Sequence, residues 1–94
     1  MALFFARVEL HSATSSDYDT LHTEMARVGF SRQIKDATGV AFELPTGEYA
    51  ADLAGTASGL AEVIKSAAVK TGRSYYVLVA ESAWNSWSGF LKRV

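Results

Sequence analysis

The first ten residues carry the pattern that most limits what this chain can fold into. Residues 2–10 alternate between two sets of side chains with different chemistry. The wholly apolar set is Phe4, Ala6, Val8 and Leu10. The set between them mixes apolar and charged side chains, and it is Leu3, Phe5, Arg7 and Glu9. Because successive side chains of a strand point to opposite faces, the alternation predicts a β-strand with one face in a core and the other face outside it.

Length and composition predict one small domain. The chain has 94 residues, of which 49% are hydrophobic and 20% are charged, the profile of a soluble globular protein. We expect a single domain over 1–94, with its core in 2–81 and a distinct aromatic segment in 82–94. A core of this size is small, so pairing with a copy of the chain would add stability, which predicts a homodimer. Without cysteine, neither a disulfide nor a thiolate metal site can hold the fold together.

Charge and hydropathy limit the partners. The formal net charge of -1 argues against a protein that coats nucleic acid by charge alone, although it is compatible with a local basic patch. No apolar run approaches the roughly 18 residues that span a bilayer, so we expect no membrane partner. The apolar start carries Arg7 and Glu9 and lacks the basic region and cleavage site of a signal peptide. These features predict a cytoplasmic protein.

Two segments have the apolar periodicity of helices. The first begins near Ser16 and ends at Gly29, because glycine permits the left-handed backbone that closes helix ends and Phe30 can fold back over the last turn. Its apolar stripe is Tyr18, Leu21, Met25 and Val28. The second helix ends at Gly72. Its apolar stripe is Leu60, Val63, Ile64, Ala67 and Ala68.

Three further strands are predicted after the first one. Residues 30–35 and 40–44 favour a hairpin. The Pro-Thr-Gly sequence at 45–47 then breaks the chain, and 48–53 forms the third strand, either after a tight turn or as a continuation past a bulge. Residues 74–81 are rich in β-branched and aromatic side chains, which is typical of a well-buried strand.

The resulting order, β, α, β, β, α, β, is the ferredoxin-like motif. In this α+β fold, a four-stranded antiparallel sheet carries two helices on one face and leaves its other face open. Right-handed crossovers place the first strand in the middle of the sheet, so Phe5 and Arg7 would lie centrally on the open face. We predict a dimer interface there, formed by these two residues together with Trp84 and Trp87.

The segment 82–94 contains four large apolar side chains: Trp84, Trp87, Phe90 and Leu91. One interpretation is that it folds back over the open face or pairs with a second subunit. The alternative is a base-stacking platform in which Lys92 and Arg93 contact phosphates.

Familiar enzyme motifs, including glycine-rich phosphate loops and metal-binding helices, are absent from the sequence. Glu9 and His11 remain as candidate catalytic residues at the end of the first strand. Glu9 could hold a divalent metal or act as a general base, with two copies converging in a dimer, and His11 could act as an acid or base near neutral pH. The alternatives are an ion pair of Glu9 with Arg7 or with a cation of a neighbouring strand, and a solvated surface histidine at His11.

Three cations follow one another around the end of the first helix and the second strand: Arg27, Arg32 and Lys35. They could contact the phosphates of an RNA. Short charge groups of this kind are also common as solvated surface with loose ion pairs.

Four stretches, at 8–11, 25–31, 42–45 and 47–50, together resemble the small antitoxins of the GhoS type, which belong to type V toxin-antitoxin systems. The resemblance implies a ferredoxin-like fold related to the CRISPR-associated endoribonucleases, and selective cleavage of the messenger RNA of a cognate toxin. In those nucleases an aspartate at the end of the first strand binds metal, and Glu9 is the matching position.

Two functional hypotheses follow. The first is a dimeric, GhoS-like protein that cleaves RNA with Mg²⁺ held at Glu9. The second is a non-catalytic, dimeric interaction module that uses the open sheet face and the aromatic C-terminal segment to bind a protein.

Overall fold

In the residues that it describes, which are 1–83, 87–89 and 91–94, the computed structural model has two helices and six strands. In chain order they are β1 (Ala2–Leu10), α1 (Ser15–Arg27), β2 (Gln33–Lys35), β3 (Ala41–Glu43), β4 (Glu48–Leu53), α2 (Ala57–Val69), β5 (Tyr75–Ser82) and β6 (Lys92–Arg93). Each helix in this part of the chain has 13 residues, so neither has the length and apolar character needed to cross a bilayer.

The strands form two separate antiparallel sheets of three strands each. The first sheet has the order β4-β1-β5 and the second has the order β2-β3-β6. In the first sheet, Arg7 of the central strand lies opposite Glu48 on one side and Leu78 on the other. In the second sheet, β3 pairs with β2 on one edge and with the C-terminal β6 on the other.

The prediction of one four-stranded ferredoxin-like sheet is therefore wrong. Among the described residues, the segment around 30–35 pairs with the first sheet only through an isolated bridge between Ser31 and Ala50. Pro45 has no N–H to extend the β3 ladder, and the chain turns there, with the Glu48 N–H donating to the Pro45 carbonyl over 3.0 Å. The segment 48–53 is thus a strand of the other sheet, rather than a continuation of the hairpin.

One face of the first sheet carries the core. The apolar set of β1 is buried there, as the alternation predicts. Both helices contribute to the same buried cluster and therefore pack on this face. The buried members from the strands and helices include Phe4, Val8, Leu21, Met25, Tyr49 and Ile64.

Both ends of α1 are closed by local hydrogen bonds. Thr14 and Asp17 form a capping box at the start, each side chain accepting from the other residue's backbone N–H. At the end, Gly29 has φ +92° and the Phe30 N–H donates to the Met25 carbonyl over 3.0 Å. Phe30 is buried, so the predicted glycine closure of this helix is confirmed.

Two predictions of burial are wrong. Val63 belongs to the predicted stripe of α2, yet its side chain is 39% exposed. Tyr76 and Leu78 belong to the predicted well-buried strand, yet they are 52% and 51% exposed. The cause in β5 is that its alternate side chains point to the face that carries no helix, opposite Glu9 and Arg7 of β1.

A polar pair joins α1 to β4 beside the core. The Nδ1 of His22 lies 2.6 Å from the Tyr49 hydroxyl. Burial lowers the pKa of His22 below its ordinary value, with the nearby Arg32 charge acting in the same direction, and burial raises the pKa of Tyr49. Both side chains are therefore uncharged at neutral pH.

Candidate binding groove

A groove lies between the helix-free face of the first sheet and the second sheet. Its volume is about 510 Å³, which is within the usual size of a ligand pocket. We call it the inter-sheet groove. The apolar residues that line it come from separate segments and include Phe5, Ile34, Leu44, Pro45, Leu78, Ala80, Trp87 and Leu91.

The floor of the inter-sheet groove is set by the pairing of the first sheet. Phe5 lies between Ala50 and Ala80 on the neighbouring strands, so a large ring is flanked by two small side chains. Because opposite residues in a sheet point to the same face, this row leaves room beside the Phe5 ring. The strand alternation that buries the opposite face of β1 thus also places Phe5 in the groove.

The other wall is built from the second sheet and the C-terminal segment. Trp87 packs edge-on against Phe42 of β3, with ring centroids 6.1 Å apart. Leu91 lines the groove just before β6, which pairs with β3. The described part of the C-terminal segment therefore folds back over the open sheet face, as one of the two interpretations of its sequence predicts.

Arg7 is the cation of the groove floor. Its side chain is exposed, and among the described residues it makes neither a hydrogen bond nor an ion pair. Glu48 lies opposite it on β4 and also lines the groove. A guanidinium beside apolar walls is suited to bind a carboxylate through paired hydrogen bonds.

A smaller hollow of about 360 Å³ lies on the far side of Leu44 and Pro45. Arg32 and Lys92 line it, and the Arg32 guanidinium pairs with Glu43 over 3.3 Å. The buried Nε of Arg32 has no hydrogen-bond partner in the described part of the chain.

The predicted catalytic residues lie together but outside the inter-sheet groove. Glu9 and His11 are two residues apart at the end of β1, and both are exposed. The predicted alternative, an ion pair between Glu9 and Arg7, does not occur within the described residues. Across residues 1–83, 87–89 and 91–94, no three His, Cys, Asp or Glu side chains are grouped so as to hold a metal ion.

The three predicted RNA-contacting cations belong to different parts of the fold. Arg27 ends α1 and pairs with Glu24 over 3.6 Å. Arg32 precedes β2 and is paired with Glu43, whereas Lys35 is exposed on β2 itself. Two of the three cations are thus already ion-paired within the chain.

Three of the four predicted dimer-interface residues meet in the inter-sheet groove. They are Phe5, Arg7 and Trp87. The fourth, Trp84, lies outside the described residues, as does Phe90.

Sequence reasoning missed several groove residues, among them Ile34, Leu44, Pro45 and Leu78. The positions of Ile34, Leu44 and Pro45 depend on the hairpin of β2 and β3 lying in a sheet separate from β4-β1-β5, which no local pattern indicates. The apolar residues at every second position of β5 were the available signal for Leu78 and Ala80. That signal was hidden because the intervening residues of β5 are apolar as well.

Comparison of the chain with known proteins found no match to a protein-family model and no match to a curated protein.

Proposed function

We propose that this protein is a non-catalytic interaction module that binds an apolar peptide segment of a partner protein in the inter-sheet groove. A carboxylate of that segment would bind Arg7. The observation that carries the proposal is an open groove with mainly apolar walls and, on its floor, one arginine that has no partner in the described part of the chain.

The chemistry of the groove supports a peptide as the ligand. Apolar side chains exposed in one concave surface mark interaction sites, since monomeric proteins expose few large apolar patches. A single charged group among them orients the ligand and adds selectivity, because an unpaired carboxylate elsewhere in the groove would lose its hydration without compensation. The groove also lies beside β5, where Leu78 remains half exposed.

Selection of random peptides displayed on phage tests the proposal. We expect enrichment of peptides with an acidic residue flanked by apolar ones, and these should bind the wild-type protein in a fluorescence polarisation titration. Arg7→Gln should weaken binding about tenfold or more, because a hydrogen bond to a charged group is lost. Leu78→Asp should weaken it as well by placing a charge on the apolar wall.

Lys65→Gln is the matched control, because Lys65 is an exposed cation on α2, away from the groove. It should bind the selected peptides as tightly as the wild type does. The proposal fails if no peptide is enriched, or if the enriched peptides bind Arg7→Gln and the wild type equally.

A second function, RNA cleavage by a GhoS-like mechanism, stays a prediction that one observation favours. Glu9 and His11 are both exposed at the end of β1, and neither side chain has a hydrogen bond or ion pair among the described residues. Glu9 offers Mg²⁺ one carboxylate, so the ion would take its other ligands from water and RNA phosphates. The homodimer, the RNA and the cognate toxin or its messenger RNA also stay predictions.

An RNA cleavage assay with and without Mg²⁺ tests this second function. We expect cleavage by the wild type, its loss in Glu9→Gln and a lower rate in His11→Ala. Asp52→Asn, which changes an exposed carboxylate on β4, should cleave at the wild-type rate. Equal cleavage by wild type and Glu9→Gln, or none by either, would contradict the prediction.

A further inference from the structure

The outer edge of β5 has backbone groups that find no partner within residues 1–83, 87–89 and 91–94. The β5 strand pairs with β1 on one side, in a continuous register from Leu3 opposite Ser82 to Leu10 opposite Tyr75. The same register continues to His11, whose N–H donates to the Ser74 carbonyl over 2.9 Å. Even-numbered residues of β5 therefore direct their backbone groups toward β1, and odd-numbered residues direct theirs outward. The outward-directed residues are Tyr75, Val77, Val79 and Glu81.

Within the described residues, the edge from Tyr75 to Ala80 has no protecting feature, and the one charged residue of β5, Glu81, lies near its end. In that part of the chain, the backbone groups of those four residues make no hydrogen bond on the side of β5 that faces away from β1. Between Tyr75 and Ala80 the sequence has neither a proline nor a charged side chain, and the register has no bulge. Native edge strands usually carry one of these features, because an open row of N–H and C=O groups templates pairing with another chain. An edge of this length without them indicates a partner.

We propose that β5 pairs antiparallel with β5 of a second copy of this chain, about a two-fold axis at Leu78. This axis brings all four outward-directed residues into the ladder. Tyr75 then lies opposite the partner's Glu81, and Val77 lies opposite the partner's Val79, each pair exchanging backbone hydrogen bonds. If the axis passed through Val77 or Val79 instead, at least one of the four outward-directed residues would lie opposite a residue outside β5 of the other copy.

Side chains on the helix-free face fit the same register. Leu78 meets the partner's Leu78 on the axis, at a pair without direct hydrogen bonds, where side chains approach most closely. Tyr76 lies opposite the partner's Ala80, so that a large side chain faces a small one. The two Glu81 carboxylates lie at opposite ends of the paired strands, which keeps these like charges apart. The edge is thus complementary to itself in shape, and the register keeps its like charges apart.

The pairing would make the inter-sheet groove a site shared by two copies. Ala80 lines the groove beside Phe5, and the partner's Tyr76 would follow in the same row. The two grooves would adjoin across the Leu78 pair. This consequence rests on the proposed function, whereas the pairing itself rests on the open edge and its register.

Cross-linking through introduced cysteines tests both the pairing and its register. The chain contains no cysteine, so each variant has one thiol. Leu78→Cys places two thiols at the close pair on the axis, where the Cα separation suits a disulfide. Tyr76→Cys is the matched control, because Tyr76 and Leu78 are equally exposed in the single chain but Tyr76 faces the partner's Ala80. With oxidised glutathione, we expect a covalent dimer from Leu78→Cys and little from Tyr76→Cys.

Sedimentation of unmodified protein provides the second arm. The wild type should sediment at twice the chain mass of 10.2 kDa, independently of any peptide. Val77→Pro removes one outward N–H without touching the β1 ladder and should sediment as a monomer, while Val77→Ala keeps that N–H and should remain dimeric. Circular dichroism identifies a misfolded Val77→Pro, in which case the cysteine variants decide.

A monomeric wild type, a dimeric and folded Val77→Pro, or cross-linking of Tyr76→Cys as fast as Leu78→Cys would each overturn the proposal. These outcomes are separable from failure of the proposed function. Absence of peptide binding leaves the sedimentation and cross-linking results unchanged, and a monomeric protein can still bind peptide at Arg7.

Discussion

Gly47 lies where the chain passes from the second sheet back into the first. Its φ of +92° is in the left-handed region that side chains other than glycine adopt with strain. A Cβ at this position would also lie 2.8 Å from the Val8 carbonyl oxygen. The same two residues are held together by the Val8 N–H, which donates to the Gly47 carbonyl over 2.8 Å. Glycine is thus needed here both for its backbone angle and for close approach to β1.

Gly47→Ala is expected to lower the free energy of unfolding by about 3 kcal/mol, because both backbone strain and the contact with Val8 are introduced. Gly39→Ala is the matched control. Gly39 has a similar φ of +88° but nothing within 4 Å of its Cβ position, so only the backbone cost of about 1 kcal/mol applies. Urea denaturation of the two variants measures the difference. Equal losses would contradict a steric role for Val8.

The lowered pKa of His22 predicts that the free energy of unfolding depends on pH above the range in which carboxylates titrate. Because burial lowers the pKa of His22 in the folded chain, the unfolded chain binds this proton more readily. The stabilisation is fully present above the unfolded pKa of about 6.5 and is lost as the pH falls toward the lower folded pKa. Urea denaturation at neutral and mildly acidic pH should show wild-type stability falling with acidification, and His22→Asn should reduce that fall. His11→Asn, which changes an exposed position, should lose stability on acidification as much as the wild type does.

At the scale of single elements, local hydrogen bonds define where α1 and α2 begin. The Thr14 and Asp17 box starts α1, and the Arg73 Nε donates to the Asp17 carboxylate over 2.8 Å, joining the helix start to the residues before β5. At α2, the Thr56 hydroxyl accepts from the Gly59 N–H, without a reciprocal acidic partner in the first turn. The start of α1 therefore depends on more interactions than the start of α2 does.

Thr14→Ala should accordingly destabilise the chain by about 1 kcal/mol or somewhat more, since it removes the cap and frees Asp17 to move. Thr56→Ala should cost less than Thr14→Ala. Thermal or urea denaturation of the two variants gives the comparison. A larger loss in Thr56→Ala would show that the capping box contributes little.

At the scale of the whole molecule, the core cluster and the C-terminal strand of the second sheet come from different parts of the chain. Among the described residues, all members of the buried core cluster lie between Phe4 and Ala68, whereas the C-terminal residues contribute β6 and the Trp87 contact to β3. Loss of the C-terminal segment would therefore remove part of a wall of the inter-sheet groove while keeping every core residue that the described ranges contain. The core and one wall of the inter-sheet groove are thus built by different parts of the chain.

Deletion of residues 84–94 should speed amide hydrogen exchange in β3, because Phe42 and Glu43 lose their pairing with Arg93 and Lys92. The amides of β1 should keep their protection, since both neighbouring strands of β1 remain. Hydrogen exchange followed by mass spectrometry measures the two regions in one experiment. Equal loss of protection in β1 would mean that the second sheet is needed for the core.

The sequence alone determined what depends on near neighbours along the chain. The alternation in β1, the apolar stripe of α1 and the glycine closure at Gly29 are all local patterns, and each agrees with the structure because side-chain direction follows from backbone geometry. The Phe5 and Arg7 side of β1 is the helix-free face for the same reason. Part of the candidate site could thus be predicted.

Only the tertiary structure decided which strands share a sheet. The β2 and β3 strands have three residues each, too few for a pattern to indicate their sheet, and β3 takes its second partner, β6, from the far end of the chain. The inter-sheet groove depends on that pairing for one of its walls. The physical reason is that backbone N–H and C=O groups are nearly the same at every residue, so a strand can pair with any open sheet edge. Which strand occupies an edge is therefore decided by contacts between segments that are distant in the sequence.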